Sequence, residues 1–302
     1  MKSARSISSW VRKIIPKRAP CGRAVTENST SGIGAGRVND SENTLSTLSE
    51  LNKKYKISSL DVSTINVEIS PEDNMFVDSN KSHYFNVGFS GLRNIILALS
   101  HAQKTESEIG SILVFPSGWG RELRFIRAYF AASEITACDI EESAIRFCGE
   151  QFKVTPLLSQ NKFSMITLER QFDLIWCGSL FTHFNEERGT DLLHFFSGAL
   201  AENGILSFST HGRYSRHLLS TGRFTYGLER PQTADLIREY DRTGYGYVNY
   251  RGSADYGISL MKPSWIIALL ERNENWKLIS YHERGYDNHQ DVITCIKQPV
   301  SD

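Results

Sequence analysis

The 302-residue chain has little cysteine and little proline, and its formal charges cancel. The five cysteines are Cys21, Cys138, Cys148, Cys177 and Cys295. An odd number without a CxxC spacing gives no disulfide framework and no zinc knuckle. Free thiols in a reducing, cytoplasmic compartment are the expectation. The eight histidines are scattered without ligand spacing, so no metal site is expected. Apolar runs such as Ile95–Leu99 stop far short of the ~20 residues that span a bilayer. No sign dominates the charge either, with 34 Lys+Arg against 34 Asp+Glu. The balance is uneven: residues 1–60 hold eleven basic and four acidic residues, a net +7, which leaves −7 for residues 61–302. A mildly acidic body lacks the basic face that nucleic acid needs, so no nucleic-acid partner is expected.

What is present is a hydrophobic share of 40% together with 22 glycines. That composition is globular and excludes a mostly disordered chain, collagen or a coiled-coil rod. Residues 1–60 read as a basic appendage. Trp10, Val11, Ile14 and Ile15 alternate with Arg12, Lys13, Lys17 and Arg18. This stretch lacks the apolar core of a signal peptide. Residues 1–18 therefore fit a solvated tail, or a short amphipathic turn touching an anionic membrane surface. Residues 22–48, rich in Ser, Thr, Gly and Asn, read as a flexible linker. Leu45, Leu48 and Leu51 hint at a short helix there.

Organised sequence begins near Asp61. Phe85, Val87, Leu92, Ile95, Ile96 and Leu99 recur at the helical period. From Ser111 short apolar runs alternate with helical stretches. Strands are expected at 112–115, 135–138, 154–158, 172–177 and 205–209, with helices at 121–132, 141–152 and 191–201. Such alternation predicts βαβ units and a doubly wound, mostly parallel sheet with ligands beyond the carboxyl ends of its strands. Two late runs, 276–284 and 292–297, leave no room for a helix between them and should pair antiparallel. Residues 212–262 form a long polar and aromatic insertion at a strand's carboxyl end, with Tyr245, Tyr247, Tyr250 and Tyr256. A substrate cap is the expectation there.

Two features carry chemistry. The run Phe115-Pro116-Ser117-Gly118-Trp119-Gly120-Arg121 takes a strand through a glycine turn into a helix. Glycines there admit a ligand close to the backbone, or simply make a tight turn. Asp139 ends the second strand, 19 residues after Gly120. A carboxylate there suits a ribose diol, or caps the helix that follows. A dinucleotide fold wants a third glycine where Leu123 stands, which counts against NAD.

These stretches, with Thr136–Asp139, Phe172–His183, Ser209–Gly212, His83–Gly88 and Glu283–Asp291, resemble the class I S-adenosylmethionine-dependent methyltransferases. The resemblance is to the small-molecule group whose glycine loop reads Pro-Ser-Gly-x-Gly-Arg, and it spans about residues 65 to 298. It implies a Rossmann-like seven-stranded sheet with an antiparallel last strand, S-adenosyl-L-methionine as cofactor and a small-molecule acceptor. By the same resemblance Pro116, Ser117, Gly118 and Gly120 wrap the methionine part, and Tyr84 closes over its end. Asp139 holds the ribose, Ile140 and Ser159 approach the adenine, and Cys177, Gly178 and Ser179 form the floor beneath the sulfonium. One departure stands out: Val114 occupies the position where the group usually carries an acid. That substitution leaves a catalytically degenerate binding or scaffold protein as the alternative. Transfer to oxygen benefits from a histidine base. His183 is the first candidate and His211 the second, with His289 also at a strand end.

Overall fold

A computed structural model describes residues 36–299, with side chains from residue 43 onward. The expected tail at 1–18 and the first part of the expected linker lie outside the described residues.

Seven strands form one sheet in the order β3-β2-β1-β4-β5-β9-β8. They are β1 (Ser111–Val114), β2 (Glu134–Asp139), β3 (Thr155–Leu158), β4 (Phe172–Cys177), β5 (Leu200–Thr210), β8 (Trp276–Tyr286) and β9 (Gln290–Lys297). The first five pair in parallel, and β9 runs antiparallel to both β5 and β8. Strand alternation divides the core. Ile112, Val114, Leu174 and Trp176 face one layer, while Leu113, Phe115, Ile175 and Cys177 face the other. Both faces are buried, which explains why these strands read as unbroken apolar runs.

The first layer is built by α1 (Gly36–Tyr55), α2 (Lys81–His101) and α3 (Leu123–Tyr129). Here the appendage expectation needs correcting. Leu48, Leu51, Ile57 and Leu60 are buried in the same cluster as Phe85, Phe89 and Leu92 of α2. Tyr55 stacks on Phe89 and donates to Asn86 Oδ1 at 3.0 Å. A Ser/Thr/Asn-rich surface masks one apolar stripe, so the composition reads as a linker although the segment packs. The helix α4 (Glu142–Phe152) joins this first layer through Cys148 and Phe152, and the second layer holds α5 (Glu186–Ala199) and α8 (Pro263–Glu271).

Between β5 and α8 the chain forms α6 (Arg213–Ser220), α7 (Arg230–Thr243) and the hairpin β6 (Tyr245–Asn249)–β7 (Gly257–Met261). These pack around their own small core of Leu219, Leu228, Leu236, Tyr240, Ile258 and Leu260. The hairpin is fastened to the segment after β4: Ser259 Oγ donates to the Phe181 carbonyl and Tyr245 Oη to that of Phe184, both at 2.8 Å. Among the described residues no helix is long and apolar enough to cross a membrane.

Candidate active site

The glycine turn stands at the carboxyl end of β1. Gly118 and Gly120 both have positive φ, 49° and 85°. A Cβ at Gly120 would strike the Phe152 ring, whereas one at Gly118 would meet nothing within 4 Å. Gly120 is thus required by packing, and Gly118 borders open space where a ligand fits. Asp139 ties this turn to β2. Its Oδ2 accepts the Gly118 N–H at 2.8 Å and its Oδ1 accepts the Glu141 N–H at 3.0 Å. Burial raises the Asp139 carboxyl, and these amides pull it back. A carboxylate has about four acceptor sites, so beyond these amides it can still accept from a diol. Ile140 beside it is 37% exposed, and the Ser159 N–H bonds the Asp139 carbonyl at 2.8 Å.

Val114 is buried in the core, so β1 sends no carboxylate to the turn. Two buried acids flank the turn instead. Glu122 accepts from Arg121 Nε at 3.1 Å and from Tyr286 Oη. Asp73 accepts from Tyr84 Oη at 2.6 Å. Buried Arg124 lies over the Tyr84 and Phe152 rings and donates to the carbonyls of Gly120, Asn66 and Glu68. Tyr84 is consequently a buried member of the clamp behind the turn, its hydroxyl engaged by Asp73.

After β4 the chain turns through Ser179 at φ 60°. The Ser179 N–H bonds Ser209 Oγ at 2.8 Å, and Gln290 joins both serines, accepting from Ser209 Oγ at 2.6 Å and donating to Ser179 Oγ at 2.9 Å. Cys177 is fully buried, so its backbone alone can border this floor, and burial raises its thiol.

The histidines converge here. His183 Nδ1 lies 2.9 Å from the Gly257 carbonyl, which fixes Nδ1 as the protonated nitrogen and leaves Nε2 bare. Its ring stacks on Tyr256 with centroids 4.7 Å apart. Burial raises the Tyr256 hydroxyl, with a smaller push from the Asp139 charge. His211 is buried against Tyr226 at 4.6 Å, 5.8 Å from His289, and its Nδ1 makes no hydrogen bond. Of the cap tyrosines singled out in the sequence, Tyr250 and Tyr256 face His183. Tyr245 packs on Trp265, and Tyr247 bonds Asn249. Tyr226 and Gln290 escape a sequence reading. A glycine after Tyr226 marks its turn, and Gln290 hides in a polar stretch. Two surface clefts, of about 630 and 410 Å³, open near Trp276 and near Arg213–Lys262, away from the glycine turn.

Burial lowers His183 to about 4 and His211 well below its ordinary 6.5. Both stay neutral in the fold but take up protons when unfolded, so stability should fall as pH drops below 6.5. From pH 6.5 to 5.5 the two together should cost about 2 kcal/mol. Raised Asp139 and Asp291 act in the opposite sense, nearer their ordinary 3.8. Urea midpoints at the two pH values check this, and equal midpoints would mean that the histidines are charged in the native state.

Residues 113–206, from β1 to β5, match the family model described as a methyltransferase domain. None of the curated proteins compared matches the chain. Among solved structures, the plantazolicin methyltransferase BpumL, in complex with a triazolic desmethylPZN analog and SAH, is 12% identical. That match covers 86% of this chain and 99% of that one, with a TM-score of 0.50. The N-methyltransferase NodS from Bradyrhizobium japonicum WM9, in complex with S-adenosyl-L-homocysteine, is also 12% identical, covering 84% and 99% at a TM-score of 0.46. Magnesium protoporphyrin IX methyltransferase (ChlM) from Synechocystis PCC 6803, with bound SAH, is 11% identical, covering 87% and 100% at 0.46. At such identities the likeness is one of fold. The chain has the class I methyltransferase, Rossmann-like fold, with a methyltransferase-domain match across its central strands.

Proposed function

We propose that this protein is an S-adenosylmethionine-dependent methyltransferase that methylates a small molecule at oxygen, with residues 212–262 acting as a cap over the acceptor. The observation that supports it most is Asp139, whose carboxylate holds the loop amides of Gly118 and Glu141 beside the open space at Gly118. When bound, S-adenosylmethionine supplies a methyl group made electrophilic by its sulfonium. Asp139 accepts the ribose hydroxyls, and exposed Ile140 offers an apolar face to the adenine with Ser159 at its edge. Pro116, Ser117, Gly118 and Gly120 follow the methionine part. Gly178 and Ser179 border the reacting end, steadied by Gln290. His183 and His211 line the acceptor side as neutral rings, which excludes water and keeps cationic charge away from the methyl donor. Positioning of this kind supplies several kcal/mol of barrier reduction.

The test is calorimetric titration of the full chain with S-adenosylmethionine and S-adenosylhomocysteine. Micromolar binding of both, at one per chain, is expected. Absence of binding overturns the reading.

A further inference from the structure

We propose that Tyr226 and His289 form the proton-accepting pair for a hydroxyl carried on a flat aromatic ring. Tyr226 touches the acceptor, and His289 is a positioning residue that acts through it. The proposal rests on the methyltransferase reading above.

Tyr226 Oη and His289 Nε2 are 2.7 Å apart. Both members are held by backbone that side chains resist. Tyr226 has φ 51°, an outlier for so bulky a residue. The turn before His289 has positive φ at Arg284, Asp287 and Asn288. Strain of this kind persists where the surroundings over-determine it, and it gathers at functional sites. The turn is pinned at every step. The Arg284 N–H bonds Asp291 Oδ1 at 2.8 Å, and the Asp287 N–H bonds Ser90 Oγ at 2.8 Å. Asn94 donates to the Gly285 carbonyl at 2.9 Å. The product of all this restraint is the position of one imidazole.

That position adjoins the floor after β4. His289 precedes Gln290, which bonds both Ser179 and Ser209. Beside the pair stands Phe224, 39% exposed, its ring 4.7 Å from Tyr226 and 5.9 Å from His289. An exposed ring at this point offers a flat apolar surface to an aromatic acceptor. The other histidines are worse placed as bases. His183 is sandwiched by Tyr256 with Nδ1 committed to Gly257, and His211 is buried behind Tyr226. Burial lowers the His289 imidazole, with Asp287 opposing and Arg284 adding to it, and the neutral tautomer protonated at Nδ1 accepts the Tyr226 hydroxyl at Nε2.

The acceptor's O–H bond breaks and its proton passes to Tyr226 Oη. The Tyr226 proton passes to His289 Nε2, which leaves Tyr226 neutral and His289 an imidazolium. The acceptor oxygen's electron pair forms the bond to the sulfonium methyl carbon, and the sulfur–carbon pair stays on sulfur as S-adenosylhomocysteine departs. His289 then releases its proton to solvent.

Two measurements test this. Long-range nitrogen–proton NMR on the full chain should find wild-type His289 protonated at Nδ1 with Nε2 bare. A proton on Nε2 overturns the pairing, with no acceptor needed. Second, wild type, Tyr226→Phe and His289→Gln are titrated with S-adenosylhomocysteine and assayed with labelled S-adenosylmethionine. The probes are 4-nitrophenol, which ionises unaided near neutral pH, and 4-methylphenol, which does not. Both variants should bind S-adenosylhomocysteine within about twofold of wild type. On 4-methylphenol their kcat should fall by about a hundredfold or more with KM little changed, while 4-nitrophenol turnover is kept. Equal losses on both probes reveal a merely structural role and overturn the proposal. So does a wild-type protein that binds S-adenosylhomocysteine yet methylates neither probe. A wild type that binds no S-adenosylhomocysteine overturns the methyltransferase reading itself.

Discussion

Replacing Asp139 with alanine should weaken S-adenosylhomocysteine binding at least tenfold, or more than about 1.4 kcal/mol. Two losses add. The ribose acceptor disappears, and the amides of Gly118 and Glu141 lose the oxygens that hold the glycine turn against β2. Asp139→Asn should do no better than alanine. Its NH2 would face one of two backbone N–H donors, so a hydrogen bond becomes a donor–donor clash. Calorimetry on both variants reads the outcome, with circular dichroism as the control for folding. An alanine variant that binds as wild type does would remove Asp139 from the cofactor site.

Arg124→Met should be the most destabilising single change near the turn. The guanidinium is almost wholly buried and donates to three main-chain carbonyls, those of Asn66, Glu68 and Gly120. Methionine keeps the apolar stem under the Phe152 ring but takes the donor from the Asn66 and Glu68 carbonyls, while that of Gly120 keeps the main-chain N–H of residue 124. At about 1–3 kcal/mol for each of the two orphaned groups, the loss should reach at least ~2 kcal/mol. That corresponds to a fall in Tm of at least about 4 °C. Scanning calorimetry decides the matter, and a fall under about 2 °C would mean that the clamp is idle. Arg124 also anchors residues 66–73 to the turn, so the variant should lose cofactor affinity together with stability.

The parallel strands β1, β2, β4 and β5 were legible in the sequence because their centres are buried on both faces, whereas the edge strand β3 is mostly exposed and leaves a weaker signal. The antiparallel partner of β5 was legible for a different reason, since the stretch before it has no room for a helix. Asp139 and the glycine turn could be picked out because their spacing follows directly from one βαβ unit. The packing of Leu48 and Leu51 could not. Three polar residues for every apolar one is also the signature of a linker, and only the facing helix distinguishes the two. Tyr226, Gln290 and Asp73 were hidden for a further reason. Each acquires its role from a partner more than ten residues away, through contacts such as Tyr226 to His289 and Asp73 to Tyr84. Val114 was visible as a departure. That Glu122 and Asp73 flank the turn in its place follows from the burial of Arg121, Arg124 and Tyr286, which no local pattern encodes.

The Met261 N–H donates to the His211 carbonyl at 2.8 Å. The two ends of the insertion between β5 and α8 therefore lie side by side. Loop-closure entropy depends only weakly on the length of a segment whose ends already meet. A lineage carrying this scaffold can lengthen or shorten the insertion between those ends while the sheet and the Asp139 turn keep their registers, provided the ties of Tyr245 and Ser259 to the segment after β4 are kept. Acceptor choice and donor binding are thereby free to evolve on separate clocks, and an engineer can swap the one without rebuilding the other.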